Sequence, residues 1–149
     1  MHIPNSFQVP REVSFFISSG CLKLIPLSRS LAHLDYSLVI SNKEHLKGLF
    51  GKTDEWWPAD NLSFAQNYEM LIWHEEQFEN NESFAYAFFL NNTYIGCLYL
   101  YGLGEVYDIV SVKDPQLIYV FMWVDKELYV KGVDAQIFAQ VKAWIEETW

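Results

Sequence analysis

The chain has 149 residues and a formal net charge of −9, from 10 Lys+Arg against 19 Asp+Glu. Apolar residues make up 51% and aromatics 17%, which excludes a disordered chain and suits one domain with one core. Without a basic face to displace counterions it is not expected to bind nucleic acid or anionic membrane, and no apolar run reaches the ~20 residues that span a bilayer.

Residues 1–19 read as an N-terminal extension of a single domain spanning 1–149. Pro4, Pro10, Arg11 and Glu12 break this stretch, so it lacks the continuous apolar region of a secretory signal. Two isolated cysteines, Cys21 and Cys97, fit a reducing compartment, and a cytoplasmic protein is expected. Within the extension, VSFFI (13–17) reads as an added strand.

Residues 21–27 (CLKLIPL) alternate apolar and polar up to Pro26, as a short strand does. Leu31, Leu34, Leu38 and Val39 then recur at helical spacing. Ser41-Asn42-Lys43-Glu44 has the form of a capping box. It predicts a second helix from Asn42 that buries Leu46, Leu49 and Phe50 and stops at Gly51. Residues 52–62 form a loop with adjacent tryptophans, Trp56 and Trp57.

A second capping box, Ser63 to Gln66, opens the next helix. Its apolar face is Phe64, Tyr68, Leu71, Ile72 and Phe78, with Glu69, His74, Glu75, Glu76 and Glu79 on a polar face and Asn80-Asn81 as its end. SFAYAFFL and YIGCLYLY flank Asn91-Asn92-Thr93, which predicts an antiparallel hairpin. Residues 102–115 form a loop or irregular excursion. LIYVFMWV (117–124) is apolar throughout and predicts a strand covered on both faces. Val133, Ile137, Val141, Trp144 and Ile145 define a C-terminal helix stripe.

No metal or nucleophile motif is present. His74-Glu75 lacks the second histidine of a zinc-protease pair, because position 78 is Phe, and His74 reads as part of a solvated face. His2, His33 and His45 have no ligand spacing, and there is no CxxC, GxSxG, Walker loop or dinucleotide fingerprint.

The order strand, helix, helix, strand, strand, strand, helix resembles the GCN5-related N-acetyltransferase (GNAT) superfamily. LKLIPLSRSLAHLDY, SFAYAFFLNNTYIGCLYLY and YVFMWVDKELYVKGVDAQIF carry the resemblance. It implies an α/β (α+β) fold with a mixed, mainly antiparallel central sheet and flanking helices. It also implies acetyl-CoA as cosubstrate, no metal, and an acetyl group passed to a small-molecule or protein amine. In the family the amides at the last helix's N-terminus hold a pyrophosphate, and the preceding strand lends backbone groups to the pantetheine arm. That assigns cofactor contacts to Met122, Trp123, Val124, Lys131, Gly132, Val133 and Ala135.

Two departures from the family follow. Its phosphate loop reads Arg or Gln, two residues, Gly, one residue, Gly or Ala. With Gly132 at the first glycine, Tyr129 takes the Arg/Gln position and Asp134 the last. A carboxylate beside the pyrophosphate costs on the order of 1 kcal/mol of ligand affinity, partly offset by Lys131. Asp134 also reads simply as a first-turn acid that stabilises its helix by ~0.3–1 kcal/mol. The family also continues past this helix with another strand, a helix and a hairpin, whereas this sequence stops at Trp149. The fold is thus expected to lack the usual C-terminal half, leaving 117–124 as an apolar edge prone to aggregate unless covered. VSFFI, a second subunit in a homodimer, or both are expected to cover it.

Glu127, Tyr129 and Glu105 are the acid–base candidates, though each reads more simply as a solvated loop residue. Trp56, Trp57 and Trp73 are the substrate candidates, able to stack on a ligand or receive a cation, or else to plug the core. The expected function is acetyl-CoA-dependent N-acetyl transfer to an amine. The alternatives are a non-catalytic, dimeric GNAT-like binding or assembly module and, more remotely, a small acidic inhibitor.

Overall fold

Asn91 and Asn92 both hold positive φ, 49° and 66°, the two-residue turn whose twist matches paired strands. They join β3 (Phe84–Leu90) to β4 (Thr93–Gly102) in the predicted hairpin. A computed structural model describes residues 7–50, 57–102 and 118–149. In it β1 (Val13–Ile17), β2 (Gly20–Pro26) and β5 (Ile118–Val124) complete one sheet in the order β1-β2-β3-β4-β5. Every pairing is antiparallel. The Asn91 side chain ties the two hairpin ends together: Cys21 N donates to its Oδ1 (3.0 Å), and its Nδ2 donates to Ser19 O (3.1 Å).

Helices cover both faces. A single tight turn (Arg29–Leu31), α1 (Ala32–Ser41), α2 (Lys43–Leu46) and α3 (Phe64–Glu79) pack on one side, over Ala85, Ala87, Cys97 and Tyr99. The second face carries Leu22, Leu24, Phe84, Tyr86, Phe88, Leu98 and Leu100 beneath α5 (Val133–Thr148). A short helix, α4 (Lys126–Val130), precedes α5. The N-terminal segment folds back: Tyr86 OH donates to Pro10 O (2.7 Å), and the Arg11 guanidinium makes a two-pronged pair with Glu79. Among the described residues, no helix is long and apolar enough to cross a membrane.

The second capping box forms as predicted. Gln66 N donates to Ser63 Oγ (3.1 Å) and Ser63 N donates to Gln66 Oε1 (2.9 Å). Ser63→Ala removes one of these bonds and is expected to cost about 1 kcal/mol, read as a lower urea midpoint with an unchanged slope.

Other expectations are corrected. Ser41 does not cap α2. It is the last residue of α1, and its hydroxyl donates back to Leu38 O (3.0 Å). Asn42 makes the junction instead, and α2 is only four residues long. Leu34 of the predicted stripe points outward, while Asp35 joins Ala32 and Val39 inside. His74 is buried, not solvated: Asn67, Leu71, His74 and Phe78 form the inner stripe of α3. Nor is β5 covered on both faces along its length. Val120 is 37% exposed, and only Trp123 and Val124 are buried. VSFFI does not cover the β5 edge, because β1 pairs with β2 at the far side of the sheet. Leu24 and Leu22 sit opposite Val13 and Phe15, which gives the first hairpin its own partner. The stop at Gly51 and the excursion after Gly102 lie outside the described residues.

Candidate functional site

The end of β5 is where the sheet, α2 and α5 converge. Beyond Val124, Asp125 N still donates to Ile95 O (2.7 Å), so the chain stays fastened to β4 one residue past the strand. It then coils through α4, where a loop was predicted, and turns at Gly132 (φ 74°) into α5. Few residues other than glycine adopt that backbone readily. A β-carbon on Gly132 would meet nothing within 4 Å, and no side chain caps the first turn of α5.

A cleft of about 360 Å³ opens at this junction. Met122, Trp123 and Val124 form its floor. Leu46 and the segment after it make one wall, and Tyr129, Asp134 and Phe138 make the other. The His45 and Tyr129 rings meet across it, 4.9 Å between centroids. A neighbouring depression is lined by Lys126, Glu127, Val130 and Lys131.

One buried side chain clasps the two walls. Asn42 Nδ2 donates to Leu38 O (2.9 Å) at the end of α1, and its Oδ1 accepts from Lys126 N (2.7 Å) at the start of α4.

The sequence-predicted residues divide accordingly. Met122, Trp123, Val124 and Tyr129 border the cleft, and Glu127 and Lys131 border the depression beside it. The Val133 side chain is buried in the core beneath α5, and Ala135 is exposed on the first turn. Trp57 is buried against Phe50 (5.5 Å between centroids), and Trp73 is 45% exposed beside His74; neither borders the cleft. Trp56 and Glu105 lie outside the described residues. Among those described, no group of three or more His, Cys, Asp or Glu side chains could hold a metal ion.

Sequence reasoning missed a polar cluster behind the cleft floor. Asp35 is buried, its Oδ2 accepting from Asn67 Nδ2 (2.7 Å) and its Oδ1 from Tyr94 OH (2.5 Å). Cys97 Sγ lies 3.0 Å from Tyr94 OH and 3.7 Å from Asp35 Oδ1. Trp123 Nε1 donates to Tyr99 OH (3.1 Å). Burial pushes the Asp35 carboxyl up, against the pull of its hydrogen bonds. Burial also raises Tyr94, Cys97 and Tyr99, which therefore keep their protons at neutral pH. His74, packed 5.4 Å from the Tyr99 ring, is pushed down to about 4 by burial and stays neutral.

No family model and no curated protein matches this sequence. Solved structures do. The chain is similar to RimL, a ribosomal L7/L12 alpha-N-protein acetyltransferase crystallised with coenzyme A, with TM-score 0.65 and 18% identity over 89% of this chain and 67% of that one. It is similar to an acetyl transferase from Salmonella typhimurium that modifies the N-terminal serine of L7/L12 (TM-score 0.60, 16% identity, 85% and 64% covered). It is also similar to the ribosomal-protein-S5-alanine acetyltransferase of Vibrio fischeri (TM-score 0.61, 16% identity, 91% and 68% covered). The chain thus spans about two thirds of the length of these proteins.

Proposed function

Starting from a chain that carries the GNAT acyltransferase fold, we propose that it transfers an acetyl group from acetyl-CoA to an amine. The cleft at the end of β5 carries this proposal. An edge strand offers backbone N–H and C=O groups to an amide-containing arm, and among the described residues β5 pairs only with β4. Beside it stands an uncapped helix N-terminus entered through a glycine whose missing side chain leaves open space, a setting that suits a pyrophosphate. Met122, Trp123 and Val124 would hold the arm, and Gly132 with the amides of Val133, Asp134 and Ala135 would hold the anion. The Asp134 carboxylate on the rim opposes that anion; Lys126 and Lys131 nearby favour it.

Acetyl transfer asks for an oriented, uncharged amine and a hydrogen bond to the thioester carbonyl. The amine nitrogen bonds to the carbonyl carbon, the C–S bond breaks, and the thiolate takes up a proton. Tyr129, on the cleft wall, is the hydroxyl available to that thiolate or to the carbonyl. Glu127 or Glu105 would take the proton the amine gives up. The amine is a small molecule or a protein; the similar proteins act on ribosomal-protein N-termini.

Thermal denaturation with acetyl-CoA tests the proposal. At 100 times its dissociation constant a ligand adds ~2.7 kcal/mol, so the midpoint rises by several degrees. Gly132→Val, which fills the open space at the helix entrance, abolishes the rise, while Gly132→Asn, which tolerates the same backbone, retains part of it. No rise for the wild-type chain at millimolar acetyl-CoA overturns the assignment.

A further inference from the structure

The cleft floor leans on the neighbouring strand. An indole N–H can only donate. Trp123 Nε1 of β5 donates to the Tyr99 hydroxyl oxygen of β4 (3.1 Å). Trp123 is buried and also borders the cleft, so its indole needs an acceptor that water cannot replace.

We propose that Tyr99 is a positioning residue for the cosubstrate cleft, holding the Trp123 indole in place through its hydroxyl. This rests on the acetyltransferase proposal for its ligand and on hydrogen-bond geometry for its mechanism. A side chain of β4 thereby fixes a floor residue carried by β5.

The test uses the full chain labelled with nitrogen-15, with the Trp123 indole signal identified by its loss in Trp123→Phe. In Tyr99→Phe the ring remains, the hydroxyl goes, and the indole signal shifts and exchanges with solvent faster. The Kd and KM for acetyl-CoA rise about tenfold, the scale of one lost buried hydrogen bond, while kcat changes little. Tyr99→Phe adds nothing to the affinity loss of Trp123→Phe when the two are combined. An indole signal that stays in place in Tyr99→Phe overturns the proposal, as does a shifted signal with unchanged acetyl-CoA affinity. A wild-type chain that binds no acetyl-CoA overturns the acetyltransferase assignment and the ligand role of Tyr99 with it; the indole spectra still decide whether Tyr99 holds Trp123.

Discussion

Gly96→Ala is expected to destabilise the chain by about 3 kcal/mol, the upper range for overpacking a tight site. An added β-carbon would lie 2.0 Å from the Trp123 carbonyl oxygen and 2.9 Å from both the Trp123 carbonyl carbon and the Val124 Cα. All three are backbone atoms of the facing strand, so no side chain can rotate away. Gly96 pairs with Val124, and relief requires β5 to move off β4. The cleft floor moves with it, so on the proposed function acetyl-CoA affinity falls along with stability. Gly48→Ala is the control. Its β-carbon meets nothing within 4 Å, and only its φ of 82° is unfavourable, which costs about 1–2 kcal/mol. Urea denaturation compares the two. If Gly96→Ala loses no more than Gly48→Ala, close approach is not what requires glycine at 96.

Acid is expected to cost the wild-type chain stability that a His74→Phe variant retains. The His74 imidazole titrates at about 4 in the folded chain, against 6.5 for an unconstrained histidine. Between those values the unfolded chain binds a proton that the folded chain refuses, so stability falls as the pH drops from 6.5 to 4. The difference amounts to about 3 kcal/mol at the acid end. Phenylalanine keeps a ring against Tyr99 and removes the titration. Asp35 works in the opposite sense. Its folded carboxyl is raised above 3.8, so the folded chain takes its proton first and gains stability as the pH falls through that window. Both chains contain Asp35, so subtracting one denaturation curve from the other leaves the His74 contribution. Parallel stability–pH curves for wild type and His74→Phe would falsify the assignment of His74 as a buried neutral group.

The hairpin, the Ser63 cap and the α5 stripe were legible because each is written in a few neighbouring residues. Asn91-Asn92 selects a turn, Ser63 and Gln66 satisfy each other's amides, and Val133, Ile137, Val141 and Trp144 repeat with the helix. The cleft floor was legible through family resemblance, which pointed to Met122, Trp123 and Val124. The Asp35 cluster was not. Tyr94 and Cys97 are three apart, and on a regular strand such residues face opposite ways. A bulge intervenes: Phe88 pairs with Gly96 and Phe89 with Tyr94, leaving Ile95 as an extra residue. That shift brings Tyr94 and Cys97 onto one face, and no local residue pattern announces it. His74 was misread for a different reason. The acidic residues around it outweighed its place in the 67, 71, 74, 78 spacing, which was available to be seen.

Asn42 joins the end of α1 to the first amide of α4 through one carboxamide. The lips of the groove are therefore tethered before anything enters it. A guest would find a seat of set width and would spend little of its affinity on freezing loose segments. Selectivity in such a receptor comes from rigidity, because a molecule of the wrong girth cannot persuade the frame to adapt.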